Sequence, residues 1–590
     1  MTRAKLLVDL EQPAPGTVVP CPDGIDFSTG LTVEAWIDVQ ESRAEAWQEI
    51  VGQWEPLEQW GQFDAYDAGF TSGLETTGFF GAVFDGRYVY FVPQHDSNTR
   101  HGKVLRYDTH TEFKDASAWT GFDAGHTDGL ETKGYYGAVF DGRFVYFVPR
   151  RTAESFHSRV LRLDTQGEFQ NPDSWSAYNA GLECSYQSAA FDGRYIYFTP
   201  GHVAVHKSEI DDPDACASPP VTGMDPNYVL LGNSIVLRHD TRGNFKDPSS
   251  WTTFDAAETS GLNTCDYDGA VFDGRFVYFI PLSTGVVLRY DTCFPFDAAS
   301  SWTAFDANPL GLKLAVGGVF DGRYLYITPY GETNAAIRYD TRNEFTDAAN
   351  WQSYSTSNTT ELQTTGFDGA AFDGRFVYYI PYYDGGTFFH GRTLRYDTRG
   401  DFENPESWSC RDAGKTDGLT TVGFNGCAFD GRFLYYAAWI DGDCEPGQTL
   451  VGNGRVLRYD TLGEQGSFSL RCADCGHNGG LNASVPGPRF IVNTERGARS
   501  AAAYRTPEAG RHHLVGTYDG EEVRIYLDGE CVGRQEGGGN IVASEAPLIV
   551  ADKSFFGSVE RISIIGVARD ADWVKERFLN IEHPTSKGRK

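Results

Sequence analysis

The sequence predicts an all-β protein in which a seven-bladed β-propeller is inserted into a β-sandwich. Three observations lead to this prediction. The tetrapeptide Phe-Asp-Gly-Arg occurs seven times, at steps of 48 to 81 residues. Each copy is followed by Arg-Tyr-Asp-Thr or a near variant, and a tryptophan recurs with the same period. Outside the repeats, both ends of the chain alternate apolar and polar residues, as sandwich strands do.

Each repeat predicts four strands, which we label A to D in chain order. Asp-Gly between two alternating apolar runs is a strong hairpin signal, so the run ending at Phe84 predicts strand A and the run after it strand B. Arg-Tyr-Asp predicts strand C, and the tryptophan segment predicts strand D. Such units, repeated seven times, are typical of a propeller. The phenylalanines of the seven copies are Phe84, Phe140, Phe191, Phe272, Phe320, Phe372 and Phe429.

The phase of the repeats predicts how the ring closes. Trp60 precedes the first strand A, and the last repeat ends at strand C near Thr461. We therefore expect the Trp60 segment to supply the outer strand that blade 7 lacks. The Asp and Arg of the tetrapeptide, such as Asp85 and Arg87, occur in every unit, so we expect a repeated ion pair that serves as scaffold.

The two ends of the chain carry a second set of motifs. The early end contains Leu31-Thr-Val-Glu-Ala-Trp36 and Ile50-Val-Gly-Gln-Trp54, and the late end contains Val523-Arg-Ile-Tyr-Leu-Asp-Gly529. These segments resemble the laminin-G/concanavalin A-like jelly-roll family. The resemblance implies one jelly roll formed by residues 1–54 and 465–590, with the propeller of residues 55–464 inserted as a guest. Members of that family often bind glycans or protein surfaces.

Composition and charge exclude several classes of partner. The formal net charge of −31 argues against a nucleic-acid binder, which needs a basic surface, and against docking on anionic membrane. No apolar run approaches the roughly 18 residues of a membrane span. Asp9 and Glu11 come too early for a signal-peptide core, so as written the chain is expected to be cytoplasmic, with export by another route open.

The cysteines give no clear framework. Eleven is an odd number, so they cannot all pair within one chain. Cys472 and Cys475 form a lone C-x-x-C without a second half, which is weak support for zinc. We expect mostly reduced thiols, with a Cys216–Cys444 pair as the alternative.

The loops between strands B and C predict the ligand-binding face. They vary in length, and they carry six of the 13 histidines together with several aromatic residues. A flat apolar platform with directional hydrogen bonds suits a sugar or a peptide. Since loops on a rigid scaffold commonly carry function, we select Tyr330, Tyr382, Trp439 and His390 as candidate ligand-binding residues.

A position on strand A, four residues before each phenylalanine, varies from aromatic to acidic. Gln187, Asp268, Asp368 and Asn425 stand there in four of the blades. Near the channel mouth they would bind hydroxyl groups or a divalent cation, and paired carboxylates would also serve in glycoside hydrolysis. The alternative is a polar, water-filled end of the channel.

A metal site is a further possibility. His202 and His206 form a close pair in the third B–C loop, and His157 lies in the second. Imidazoles in such a group would bind a transition metal.

Three functions therefore follow from the sequence. The first is a non-enzymatic recognition protein that binds a glycan or protein ligand through the channel mouth and the jelly roll. The second is a carbohydrate-active hydrolase or lyase that uses channel-mouth carboxylates or histidine. The third is a metal-dependent oxidoreductase that uses loop histidines. The chain lacks the serine-hydrolase, zinc-protease, P-loop and dinucleotide signatures, which favours the first.

Overall fold

The structure is a computed structural model that describes residues 6–20, 30–40, 48–210, 227–331, 333–359, 362, 364–384, 389–440, 451–463, 466–473, 487–503, 507–544, 546–551, 555 and 557–582. The predicted all-β class is confirmed, since the one α-helix in these ranges is Ala571–Glu582. No helix in the described ranges has the length and apolar character needed to cross a membrane. Cys216, Cys444 and Cys475 lie outside them.

The propeller consists, in the described part of the chain, of seven antiparallel sheets in which strand A pairs with B, B with C and C with D. Blade 3 carries one more strand, Tyr228–Gly232, which pairs with its long strand B. The strands A to D of blades 1 to 7 are Phe79–Phe84, Tyr88–Pro93, Lys103–Asp108 and Trp119–Asp123; Tyr135–Phe140, Phe144–Pro149, Arg159–Asp164 and Trp175–Asn179; Cys184–Phe191, Tyr195–His206, Ile235–Asp240 and Trp251–Asp255; Tyr267–Phe272, Phe276–Pro281, Val286–Asp291 and Trp302–Asp306; Ala315–Phe320, Tyr324–Pro329, Ala335–Asp340 and Trp351–Ser355; Phe367–Phe372, Phe376–Pro381, Arg392–Asp397 and Trp408–Asp412; Phe424–Phe429, Phe433–Ala438, Arg455–Asp460 and Phe63–Asp67.

Short elements occupy the connections between these strands. Six of the ten 3₁₀ turns in the described residues immediately precede strand D: Ala116–Ala118, Pro172–Ser174, Pro248–Ser250, Ala299–Ser301, Ala348–Asn350 and Pro405–Ser407. The other four are Lys207–Glu209, Thr259–Gly261, Asn308–Leu310 and Thr356–Asn358. Two D–A loops form two-stranded ribbons, Phe70–Thr71 with Leu74–Glu75 and Lys415–Thr416 with Leu419–Thr420.

The ring closes through a strand from the other end of the repeat region. Strand A of each blade packs against strand A of the next, and Phe424–Phe429 packs against Phe79–Phe84. In blade 7, Phe63–Asp67 pairs antiparallel with Arg455–Asp460, with Phe63 opposite Tyr459. The closure predicted for this segment is therefore present, and it joins residues almost 400 positions apart by backbone pairing.

The register of the closing strand differs from the prediction. In blade 1, the tryptophan opposite the strand C tyrosine is Trp119, which faces Tyr107. In blade 7 that place is taken by Phe63, and Trp60 lies before the strand, with its ring 5.7 Å from the ring of Tyr459. Trp60 is thus not equivalent to the other tryptophans, although its spacing to the next aromatic residue is the same as that of Trp119.

The tetrapeptide stabilises each blade through two separate contacts. In blade 1, Asp85 accepts the backbone N–H groups of Arg87 at 2.8 Å and Tyr88 at 2.6 Å. Arg87 instead pairs with Asp108 at the end of strand C, at 2.8 Å. The expected ion pair within the turn is wrong, since the arginine links strand C to the turn. The same pair recurs as Arg143–Asp164, Arg194–Asp240, Arg275–Asp291, Arg323–Asp340, Arg375–Asp397 and Arg432–Asp460.

Side chains of the D–A loops cover the outer strands of neighbouring blades. Asp417, at a positive φ of 53°, accepts the N–H of Ala65 at 2.9 Å, and Asp128 accepts the N–H of Ala177 at 2.8 Å. An outer strand carries unpaired N–H groups, and these acceptors satisfy one of them in the middle of the strand.

The sandwich consists of two six-stranded sheets, each with strands from both ends of the chain. Its core includes Ile37, Phe468 and Phe490. In sheet order, the strands are Leu6–Glu11, Gly557–Ile565, Leu31–Val39, Gly510–Tyr518, Glu522–Leu527 and Glu530–Glu536 for one sheet, and Thr17–Val19, Leu548–Val550, Gln48–Trp54, Gly466–Ala473, Arg489–Thr494 and Gly497–Ala502 for the other.

The sandwich contacts the propeller on the face that carries the A–B turns. Arg432 in the A–B turn of blade 7 donates to Asn493 Oδ1 at 2.9 Å, and Gln535 donates to the carbonyl of Gly86 in blade 1. The A–B and B–C connections lie at opposite ends of antiparallel strands. The B–C loops and the channel mouth therefore face away from the sandwich.

The closure through Phe63 makes a testable prediction. Phe63→Ala removes a ring 4.5 Å from that of Tyr459 and should lower the free energy of unfolding by about 2 kcal/mol, or the melting temperature by about 4 °C. Phe70→Ala is the matched control, because Phe70 lies on the same segment and is 77% exposed. Calorimetry on both variants checks this, and equal melting temperatures would contradict closure at Phe63.

Candidate functional site

A β-bulge in strand A points one side chain of each blade into the channel. In blade 4 the pairing of strands A and B shifts between Tyr267 and Ala270, so Asp268 and Gly269 form the bulge. Gly269 has a φ of 129°, which L side chains rarely adopt, and the same glycine recurs after Asp368 and Asn425. The variable strand A position of the repeats, four residues before each phenylalanine, therefore lies in the bulge, with its side chain toward the channel.

The polar residues of this ring use only part of their hydrogen-bonding capacity. Tyr136 Oη donates to Asp268 Oδ2 at 2.9 Å, and Asn425 Nδ2 donates to Asp368 Oδ2 at 2.6 Å. Gln187 Nε2 donates to the carbonyl of Tyr267 at 3.3 Å. Each of these four residues has one buried acceptor oxygen without a hydrogen-bond partner among the described residues: Asp268 Oδ1, Asp368 Oδ1, Asn425 Oδ1 and Gln187 Oε1.

Burial changes the chemistry of the two carboxyl groups. Asp268 and Asp368 are 2% and 1% exposed. Burial raises the pKa of Asp268 well above its ordinary value, against the opposing effects of Arg150 and of the hydrogen bond from Tyr136. Burial also raises the pKa of Asp368, and the charge of Asp268 adds to that rise. Each group is thus favoured in its protonated form at a higher pH than an exposed aspartate.

Aromatic side chains surround these acceptors. The ring of Phe80 lies 4.3 Å from the rings of both Tyr136 and Trp439, and Tyr330 stacks on Tyr382 at 5.8 Å. Burial, followed by the charge of Asp368, raises the pKa of Tyr382 to about 12. We call these five aromatic residues, together with Gln187, Asp268, Asp368 and Asn425, the mouth cluster.

The structure thus brings together seven of the eight residues selected from the sequence. Sequence reasoning missed Arg150, whose guanidinium lies 4.5 Å from the ring centroid of Tyr136. It directly follows Pro149, the last residue of a strand B, and only its place next to the channel distinguishes it from the other arginines.

His390 has a structural role in its blade. Its Nε2 is 2.8 Å from the carbonyl of Thr365, and its Nδ1 accepts the N–H of Arg392. His101 and His157 make the same two backbone contacts, and Asn233 and Asn453 take the place in blades 3 and 7. Three of the six histidines in the B–C loops therefore form a repeated cap before strand C, and His390 is one of them.

The three candidate metal-binding histidines do not meet. His202 Nε2 is 3.1 Å from Asp266 Oδ1, whereas His206 Nδ1 contacts Ser208, and His157 is the backbone cap of blade 2. Among the side chains that the structure describes, no three His, Cys, Asp or Glu residues are arranged to hold a metal ion.

A separate cavity of about 390 Å³ lies between blades 2 and 3. Its lining includes Glu154, Phe156, Arg159, Glu183 and Tyr228. It lies between the B–C loop of blade 2 and the additional strand pair of blade 3 that includes Tyr228–Gly232. No residue of the mouth cluster is among these lining residues.

Comparison with known proteins supports the sandwich. Residues 436–575 match the family described as the concanavalin A-like lectin/glucanases superfamily. The match begins inside strand B of blade 7 and covers less than half of the chain, and it reaches only the late half of the sandwich. A search of curated proteins finds no match.

Solved structures that resemble the chain are distant. A streptogramin B lyase is 11% identical over 68% of this chain and 98% of its own, with a TM-score of 0.40. The β-propeller domain of Cps50 (Swd1) from Myceliophteria thermophila is 9% identical over 66% of this chain and 97% of its own, with a TM-score of 0.38. At this distance the similarities carry no argument about function.

The buried histidine caps predict an acid-sensitive stability. Burial lowers the pKa of His101, His157 and His390 to about 4, so between about pH 6.5 and pH 4 the unfolded chain binds protons that the folded protein does not. Each histidine therefore lowers the free energy of unfolding by about 1 kcal/mol per pH unit as the pH falls through that window.

The triple variant His101→Asn, His157→Asn and His390→Asn keeps the acceptor that Asn233 and Asn453 provide and removes the titrating rings. Its melting temperature should fall less between pH 7 and pH 5 than that of the wild type. His126→Asn, at an exposed histidine, is the control. Identical pH dependence in the triple variant and the wild type would show that the caps do not contribute.

Proposed function

We propose that the protein is a recognition protein that binds a glycan or protein ligand at the channel mouth of the propeller. The observation that carries this proposal is the set of four buried acceptor oxygens without partners, enclosed by aromatic rings. A buried polar group without a partner costs about 1–3 kcal/mol, so a scaffold would gain by removing it. A ligand that donates hydrogen bonds would satisfy these oxygens.

The chemistry of the mouth cluster suits a sugar. Hydroxyl groups donate to carboxyl and amide oxygens, while tyrosine and tryptophan rings pack against the C–H face of a pyranose. A peptide would use the same oxygens through its N–H groups. The concanavalin A-like part of the chain supports a binding or scaffold role, and the sandwich holds the propeller from the opposite face.

The second candidate is a carbohydrate-active hydrolase or lyase at the same site. The observation that favours it is the raised pKa of both Asp268 and Asp368, since a general acid must hold its proton near neutral pH. The geometry does not favour the oxidoreductase, because His157, His202 and His206 each contact a different partner.

Two further inferences belong to this proposal. We propose that residues 1–54 and 465–590 form one domain and that residues 55–464 form the other. The strands that make up each sheet support this division. A cytoplasmic location also stays a prediction.

Asp268→Asn and Asp368→Asn test the site. Each replacement keeps the size of the side chain and exchanges one buried acceptor for a donor, so affinity for a glycan identified on an array should fall by about 10-fold or more. Asp347→Asn is the matched control, because Asn171 and Asn404 take the same capping position in other blades.

Calorimetric titration of the wild type and the three variants measures the loss, and mass analysis of the glycan after incubation detects turnover. Binding without turnover supports recognition, and turnover abolished by either aspartate variant supports the hydrolase or lyase. Affinity unchanged in both aspartate variants would place the ligand elsewhere.

A further inference from the structure

Arginine side chains gather beside the mouth cluster. Arg150 and Arg151 follow strand B of blade 2, and their N–H groups donate to the carbonyl of Gly134 at 3.2 and 3.1 Å. The Cδ of Arg100, from the B–C loop of blade 1, lies 3.4 Å from the point where a Cβ on Gly134 would stand. The backbones of Arg150 and Arg151 and the side chain of Arg100 therefore lie around Gly134 on the channel face, in a protein with a net charge of −31.

Two of these arginines lack an acidic partner. Arg150 lies over the rings of Tyr136 and Phe80, at 4.5 and 5.6 Å, and its buried Nε has no hydrogen-bond partner among the described residues. Arg100 donates to the amide oxygen of Gln94. Neither forms an ion pair with any residue that the structure describes.

The scaffold arginines behave differently. In all seven blades the arginine of the tetrapeptide pairs with the strand C aspartate at 2.6–2.8 Å. Strand C arginines such as Arg106 and Arg238 also lie over aromatic rings and form no ion pair among the described residues. The feature that distinguishes Arg100 and Arg150 is therefore their place on the channel face, beside the mouth cluster.

Burial and nearby positive charge disfavour the charged form of Arg100. Burial, with repulsion from Arg151 and Arg150, lowers the pKa of Arg100 to about 9. Burial and the charge of Arg100 also lower the pKa of the neighbouring His95 to about 4. A bound anion would offset both the burial and the mutual repulsion.

We propose that the ligand of the mouth cluster is an acidic glycan whose carboxylate or sulfate group binds Arg100 and Arg150. The guanidinium fork matches either group through paired hydrogen bonds. This inference rests on the proposed function and specifies its ligand.

The position of Tyr136 joins the two halves of this site. The face of its ring carries Arg150, and its hydroxyl donates to Asp268. Arg150 and Asp268 are therefore separated by a single aromatic ring, so we expect one acidic sugar residue to contact both. The raised pKa of Asp268 favours the neutral acid, which reduces its repulsion of an anionic ligand.

The experiment compares matched glycans on the full-length protein. An array carries oligosaccharides with uronic or sialic acid residues beside the same compounds with the carboxyl group reduced to an alcohol, and sulfated oligosaccharides beside their desulfated forms. We expect the acidic member of a pair to bind at least about 10-fold more tightly, as a charge-assisted hydrogen bond is worth about 1.5–3 kcal/mol. Preference within the carboxylated or the sulfated pairs identifies the group.

Variants then locate the anion. Arg150→Gln and Arg100→Gln should each lower the affinity for the acidic glycan by about 10-fold and the affinity for its neutral counterpart by less than about twofold. Arg242→Gln, at an exposed arginine of a C–D turn, is the control, and Arg150→Lys should retain part of the affinity.

Two results would overturn the inference separately from the proposed function. Neutral and acidic partners that bind equally, with binding still lost in Asp368→Asn, would retain the mouth as a glycan site and exclude the anion subsite. If Arg150→Gln lowers the affinity for the acidic and the neutral glycan equally, the arginine only supports the site. If no aspartate or arginine variant lowers the affinity for either glycan, both proposals are refuted.

Discussion

The antiparallel pairing of Phe63–Asp67 with Arg455–Asp460 is the contact on which the rest of the structure depends. It closes the ring, so strand A of blade 7 can pack against strand A of blade 1. It also brings together the two ends of the propeller, from which the chain continues directly into the sandwich strands Gln48–Trp54 and Gly466–Ala473, which pair with each other. Closure of the ring therefore places the two chain segments that pair in the sandwich next to each other.

The closed ring explains why unsatisfied polar groups survive in the channel. Each bulge on strand A places one side chain at the channel, and the packing of seven strands A leaves those side chains little freedom to turn away. Asp268, Asp368, Asn425 and Gln187 come from four different blades and keep one oxygen each without a partner. Arg150 lies on the other side of Tyr136 without an acidic partner. From the positions of Arg150 and Asp268 on either side of one ring we infer a ligand with both an anionic group and hydroxyl groups.

Much of this architecture was readable in the sequence, because each signal was local and repeated. Phe-Asp-Gly-Arg with Arg-Tyr-Asp gave the hairpins and their order, and the phase of the repeats indicated the closure. The errors have physical causes. Trp60 has the same spacing to the next aromatic residue as most of the other tryptophans. The register is set by backbone pairing, however, and this pairing places Phe63 opposite Tyr459. His390 was selected because it lies in a B–C loop among aromatic residues, but both of its ring nitrogens contact backbone groups. Arg150 was missed because its place beside the channel depends on three-dimensional packing, which the sequence does not show.

The most direct test of the account is a crystal structure of the untreated protein at a resolution that shows ordered molecules in the channel mouth. The account predicts density for a bound molecule within hydrogen-bond distance of both Asp268 Oδ1 and Asp368 Oδ1, with an anionic group against Arg150. Direct hydrogen bonds between protein groups that satisfy all four acceptor oxygens, with no space between them and the aromatic rings, would contradict it.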